Sequence, residues 1–181
     1  GYMDSICTRA VGSVRYRVEV RTEGGHSYFN FGNRNALAEL SALIQALYQY
    51  QVPQDGSKTT YNVGMVKGGT SEMLYEFRSD NLESMEKVRD YFEETLENFR
   101  KTGLDIRTEI IGERPCGRKG NEDPRQKELA ELCRKIITKH YGKEPVFAPS
   151  STDCNIPLSL GIPAATIGLC LGDGEHTREE W

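Results

Sequence analysis

The sequence is poor in imidazole, has no paired-cysteine motif, no long apolar run and no excess of positive charge. Each absence closes off a class of protein. Only three of the 181 residues are histidine: His26, His140 and His176. A zinc site needs three or four ligands in one neighbourhood. Neither C-x-x-C nor H-E-x-x-H occurs, so no self-contained site is encoded. The five cysteines, Cys7, Cys116, Cys133, Cys154 and Cys170, are odd in number. That suits reduced thiols in a cytoplasm rather than a disulfide scaffold. No apolar stretch approaches the ~20 residues of a membrane span. No charged-then-apolar start resembles a signal peptide. A formal net charge of -4 argues against nucleic acid, whose phosphates call for clustered basic side chains. There is no internal repeat and no low-complexity tract.

What is present supports a packed core. Hydrophobic residues make up 37% and charged residues 28% of the chain. The length suits one domain, or one small domain plus part of another. The first twelve residues have no clear period. Then Val14, Tyr16, Val18 and Val20 alternate with charged residues, which predicts a strand with one buried face. A glycine-bounded loop, residues 24–32, follows. Leu37, Leu40, Ile44 and Leu47 recur at helical steps, so a helix is expected over 35–50. Two alternating strands come next, Tyr61-Val63-Met65 and Met73-Tyr75-Phe77, with Gly68-Gly69-Thr70-Ser71 as their turn. A second helix is expected to open at Asp80, with Glu83 completing a capping box. Its stripe is Leu82, Met85, Val88, Phe92, Leu96 and Phe99, and Gly103 closes it. A last strand places Leu104, Ile106, Thr108 and Ile110 on one face. The order strand, helix, strand, strand, helix, strand is a ferredoxin-like βαββαβ domain over residues 13–114.

Residues 114–121 read as a linker, rich in glycine and charge. Beyond it Asp123 caps a helix with Pro124 at its first position. Leu129, Leu132, Cys133, Ile136 and Ile137 form the apolar stripe. A short strand near Val146-Phe147, a Ser-Ser-Thr-Asp loop, a short helix over 155–160 and a strand over 164–167 suggest part of an α/β domain.

Several residues could do chemistry. His140 lies on the helical stripe near a helix C-terminus, where the dipole alone favours it. His26, between two glycines and Ser27, reads as a turn histidine or as a functional donor near neutral pH. His176 sits among glycines and glutamates, either as a solvated tail residue or as one ligand of a shared metal. The cluster at Ser151, Thr152 and Asp153 reads as a helix cap or as an anion cradle. Arg78 faces away from Phe77 and is either solvated or a clamp on a carboxylate.

Together these segments resemble one metallopeptidase family. Gly24-Gly25-His26-Ser27 with Gly32-Asn33-Arg34-Asn35-Ala36 resembles the start of its dimerisation domain. Asn62-Val63-Gly64, Gly68-Gly69-Thr70-Ser71 and Glu76-Phe77-Arg78-Ser79 resemble its central hairpin and next strand. Ser151-Thr152-Asp153 and Glu175-His176-Thr177 resemble motifs of its C-terminal catalytic segment. The family includes acetylornithine deacetylase, succinyl-diaminopimelate desuccinylase, aminoacylase, carboxypeptidase G and bacterial di- and tripeptidases.

The resemblance implies a homodimer formed through the lid, with sheets and helices meeting edge to edge. It implies that residues 1–12 end an upstream catalytic segment or linker, that 13–114 are the lid and that 115–181 belong to the catalytic domain. His176 becomes the last ligand to one of two zinc ions. His26 becomes the lid histidine that enters the partner subunit's active site and polarises the scissile carbonyl. Arg78, Ser151, Thr152, Asp153 and Asn155 become the walls around a substrate carboxylate. The substrate would be a small peptide or an N-acyl amino acid. The family's other zinc ligands and its catalytic glutamate precede the lid and have no counterpart in residues 1–12, and a longer stretch usually follows Gly-Gly-Thr-Ser. A fragment, itself inactive and without bound zinc, is therefore expected. The alternative is a stand-alone ferredoxin-like dimerisation or small-ligand-binding module without catalysis. An RNA-binding sheet would need exposed aromatics and basic residues on its central strands.

Overall fold

Alternation in the first long strand is enough to build a sheet around it. The computed structural model describes residues 3–117, 123–169, 172, 174 and 177–179. They form two compact units, Ser13–Arg114 and Gly1–Gly12 with Pro115–Trp181. No helix among the described residues is long and apolar enough to cross a membrane.

In chain order the elements are β1 (Ser5–Cys7), β2 (Gly12–Arg21), α1 (Ala36–Leu47), β3 (Thr59–Lys67), β4 (Glu72–Ser79), α2 (Leu82–Arg100), β5 (Asp105–Arg114), α3 (Pro124–Tyr141), β6 (Val146–Phe147), α4 (Asn155–Ser159) and β7 (Thr166–Ile167). The second to the seventh make the ferredoxin-like βαββαβ unit. Its sheet has the order β3-β4-β2-β5. Strand β2 runs antiparallel to β5, and β3 antiparallel to β4. Val14, Tyr16, Val18 and Val20 of β2 and Met73, Tyr75 and Phe77 of β4 are buried on one face. Helix α2 packs on that face, with Phe92 4.5 Å from the Tyr16 ring and stacked at 5.0 Å on Tyr75. Helix α1 joins α2 through the Tyr91 hydroxyl, which donates to the Ala46 carbonyl. The Tyr75 hydroxyl is buried in this cluster and has no hydrogen-bond partner among the described residues. Burial pushes its pKa up.

Several expectations shift by a residue or a turn. The buried stripe of α1 is Leu40, Leu43 and Leu47, while Leu37 is 41% exposed. Its cap is Asn35, whose side chain accepts from Ala38 N. Helix α2 is capped by Asn81, which accepts from Ser84 N, and not by Asp80. Asp80 instead accepts from Lys58 N at the start of β3. On β5 only Ile106 is buried, with Leu104 just before the strand. Ile110 is 49% exposed although it stays in register opposite the buried Tyr16; the β2 register slips only beyond that pair, Arg15 facing Gly112. The β3–β4 turn is tight: Lys67 faces Glu72 across four residues. Ser71 sits there at φ 48°, and its carbonyl accepts from Val20 N.

The other unit has a three-stranded sheet of order β6-β1-β7. Strand β1, where the sequence shows no period, is three residues long and buries Ile6 and Cys7. It pairs parallel with β6 and antiparallel with β7. Asp123 caps α3 by accepting from Arg125 N, and Gly142 ends it at φ 78°. The stripe of α3 is only partly covered: Ile137 is buried, whereas Leu132 and Ile136 are exposed. His140 is also exposed and does not lie on a buried stripe.

Candidate functional site

The loop between β2 and α1 (residues 22–35) is built on glycine. Gly24, Gly25 and Gly32 have φ of 60°, 139° and 104°, conformations that other residues rarely adopt. At Gly25 space matters too, since a Cβ there would lie 2.6 Å from the Asn30 Cβ. The close approach lets Asn30 lock the turn. Its Oδ1 accepts from His26 N at 2.9 Å, and its own N donates to His26 O at 2.8 Å. The His26 ring folds back so that Nδ1 accepts from Tyr28 N at 3.2 Å and Phe29 N at 3.4 Å. The Phe29 ring lies 4.9 Å from the imidazole. Tyr28, Phe29 and Phe31 are at least 80% exposed, so three aromatic rings stand in solvent beside one histidine.

Arg34 pegs the loop to its own unit. Its Nε donates to Glu39 at 2.8 Å, and its two terminal nitrogens donate to the carbonyl and hydroxyl of Thr102. Its backbone N–H donates to Glu23. These bonds hold the Glu39 and Glu23 carboxyls below their ordinary range. His26, Phe31, Leu37 and Ser71 line an open pocket of about 650 Å³. A loop pinned at its base and open at its tip suits a group that must meet something outside its own domain.

Arg78 is on β4, on the opposite sheet face from Phe77. Its Nε donates to Glu76 at 2.6 Å, and Arg15 also bonds Glu76. Burial would raise the Glu76 carboxyl, but the two guanidinium bonds outweigh it and hold the group below its ordinary value. Arg78 thus belongs to a charged lattice on the open face of the sheet and does not line the His26 pocket.

The remaining expected residues are in the other unit. Asn155 is 1% exposed, and its amide is fully engaged. Nδ2 donates to Val11 O and Pro115 O at 2.8 and 2.9 Å, and Oδ1 accepts from Thr152 N at 2.8 Å. The Thr152 hydroxyl meets the Thr166 hydroxyl at 2.9 Å and accepts from Cys154 N at 3.3 Å. The helix-cap reading of this loop does not hold: the N-cap of α4 is Cys154, with no side-chain cap bond. Ser151 is half-buried and Asp153 is exposed beside this network. His176 lies outside the described residues. Among the described residues no group of three or more His, Cys, Asp or Glu could hold a metal. They do not by themselves fit a two-zinc centre.

The closing role of Asn30, and the positive φ of Ser71 within the Gly-Gly-Thr-Ser turn, were not among the expectations. Asn30 stands four residues after a histidine flanked by glycine, a spacing that a side-chain-closed turn requires. Ser71 follows a Gly-Gly turn, where one residue with positive φ is common.

The family model described as the peptidase dimerisation domain matches residues 8–103. No curated protein matches the chain. Among solved structures, an aminopeptidase PepT from Bacillus cereus superposes with a TM-score of 0.70 at 19% identity, covering 99% of this chain and 49% of its own. An aminohydrolase from methicillin-resistant Staphylococcus aureus gives 0.65 at 16% identity, covering 91% and 46%. An amidase of the hydantoinase/carbamoylase family from Burkholderia multivorans gives 0.59 at 15%, covering 88% and 41%. The chain belongs to the metallopeptidase family that carries this dimerisation domain. It spans about half or less of the length of these structures.

Proposed function

We propose that this chain is the lid and C-terminal catalytic segment of a zinc-dependent hydrolase that cleaves the amide bond of a small peptide or N-acyl amino acid. The observation that carries the reading is His26. It stands on a pinned, glycine-built loop, exposed at the mouth of a pocket, with Nε2 unpartnered among the described residues. An imidazole so placed can donate to a carbonyl oxygen that gains negative charge during attack. Hydrolases, peptidases and amidases among the structural neighbours support the reaction class.

The lid is proposed to pair with a second copy, so that His26 serves the partner's site. The two sheet edges support this. Strand β5 carries five charged residues in ten, and Glu109 and Glu113 are ion-paired with Arg17 and Arg89. Strand β3 has no charge before Lys67. Charges on an edge oppose strand addition, so β3 is the edge fitted to receive another strand. Arg78 is proposed to turn a free guanidinium nitrogen to a substrate carboxylate. In the other unit Ser151, Thr152 and Asp153 are proposed to contact substrate, with Asn155 holding their loop. Zinc, His176 as its ligand and a cytoplasmic location rest on the resemblance and on the free thiols.

In the full-length protein, His26→Ala should lower kcat by about 10²–10³-fold while zinc content stays constant. Turnover of dipeptide, tripeptide and N-acyl amino acid panels, with metal analysis, checks this. Undiminished turnover would remove His26 from the mechanism.

A further inference from the structure

We infer that the turn over residues 25–30 fixes His26 in a single tautomer, the one that presents an Nε2–H donor, and that Asn30 is its positioning residue. The purpose of this arrangement rests on the oxyanion role proposed above. The tautomer itself can be read without any turnover.

A neutral imidazole carries one N–H and one bare nitrogen. Two backbone N–H groups, those of Tyr28 and Phe29, are directed at Nδ1. A donor needs a lone pair to meet, so Nδ1 must be the bare nitrogen and the proton resides on Nε2. The other tautomer would set the Nδ1 hydrogen against two amide hydrogens. The turn that imposes this is closed by the histidine's own backbone N–H and C=O. His26 N donates to Asn30 Oδ1 at 2.9 Å, and His26 O accepts from Asn30 N at 2.8 Å. With the peptide groups on both sides of His26 held, the side chain swings back over the Tyr28 and Phe29 amides. Gly25 is part of the device: its φ of 139° and the 2.6 Å approach to Asn30 Cβ leave no room for a methyl group.

The chemical consequence is specific. An oxygen that becomes negative during acyl transfer is stabilised by a donor and repelled by a lone pair. A histidine free to exchange tautomers would present the lone pair for part of the time. Here the backbone removes that state before any substrate arrives, which is preorganisation of a donor.

Nitrogen-15 NMR of the Gly1–Trp181 chain in mildly alkaline buffer tests this directly. The ring proton should sit on Nε2. Nδ1 should show a through-hydrogen-bond coupling to the amide nitrogen of Tyr28 or Phe29. Asn30→Ala should lose that coupling and populate both tautomers. Asn30→Asp keeps the accepting oxygen and should recover it. In the full-length protein, Asn30→Ala should lower kcat by on the order of 10- to 100-fold, with KM changed far less. A proton on Nδ1 in the unmodified chain, or a coupling that survives Asn30→Ala, overturns the inference. The unmodified chain decides the tautomer even if a variant fails to fold. A full-length His26→Ala with normal turnover would sink the hydrolytic reading instead and leave the tautomer standing.

Discussion

The two units of this chain are held together by different means. In Ser13–Arg114, strands of eight to ten residues and helices of twelve and nineteen close over a continuous apolar core. Tyr16, Tyr75, Phe77 and Phe92 are its centre, and long ladders pair β2 with β5 and β3 with β4. In the other unit the strands are two or three residues long, and α3 leaves Leu132 and Ile136 in solvent. There, buried amide side chains take the part of missing strands. Gln126 exchanges two hydrogen bonds with Ala164, Nε2 to O at 2.9 Å and N to Oε1 at 2.8 Å, as a neighbouring strand would. Asn155 joins three backbone segments in the same way. Long elements can bury area; short ones need specific polar ties to keep their backbone groups paired.

The contrast can be broken at its strongest point first. Phe92→Ala should destabilise the first unit by about 3–5 kcal/mol, because a ring contacting both central strands leaves a cavity. Urea unfolding followed by tyrosine fluorescence measures it, and a loss below 1 kcal/mol would mean the core is not cooperative. In the second unit Asn155→Ala should cost roughly 2–3 kcal/mol, since it strips the partners from Val11 O, Pro115 O and Thr152 N. Leu132→Ala, an apolar residue of the same unit, should cost under about 0.5 kcal/mol. The reverse ranking would show apolar burial dominating there too.

The edges sharpen the comparison further. Met65→Lys with Val66→Lys places charge on the free side of β3 and should weaken self-association by about 10-fold, or 1.4 kcal/mol. The pair Ile110→Lys and Ile111→Lys on β5 should leave it unchanged. Sedimentation over a concentration series separates the two, and equal effects would mean that neither edge is the contact. One further change has the opposite sign. Tyr75→Phe removes a buried hydroxyl with no partner among the described residues and should stabilise the first unit by about 1 kcal/mol. A loss of stability on thermal melting would reveal a bonded hydroxyl instead.

How far the sequence could be read follows the same division. The βαββαβ order was legible because periodicity is reliable over long elements, as the alternation of β2 and β4 shows. Rotational errors came where polar and apolar residues share a turn: Leu43 replaced Ile44 and Leu37 as the inward face of α1. The cap moved from Asp80 to Asn81 because Asp80 is drawn to Lys58 N, a contact 22 residues away that no local rule encodes. Strand β1 was invisible, since three residues have no period and its partners lie more than 130 residues on. At the site, glycine and histidine marked the loop from sequence alone, whereas the closing bond from Asn30 needed coordinates. Arg34 was quoted only within a motif; its bonds to Glu39 and Thr102 give that position a physical reason.

Under the proposed pairing through β3, the unequal edges of the four-stranded sheet would also limit the assembly to two copies. Two copies joined through β3 would make one eight-stranded surface whose outer borders are both the ion-paired β5. Neither border invites another strand, so growth would terminate at two and polymers would be disfavoured without any separate device to prevent them.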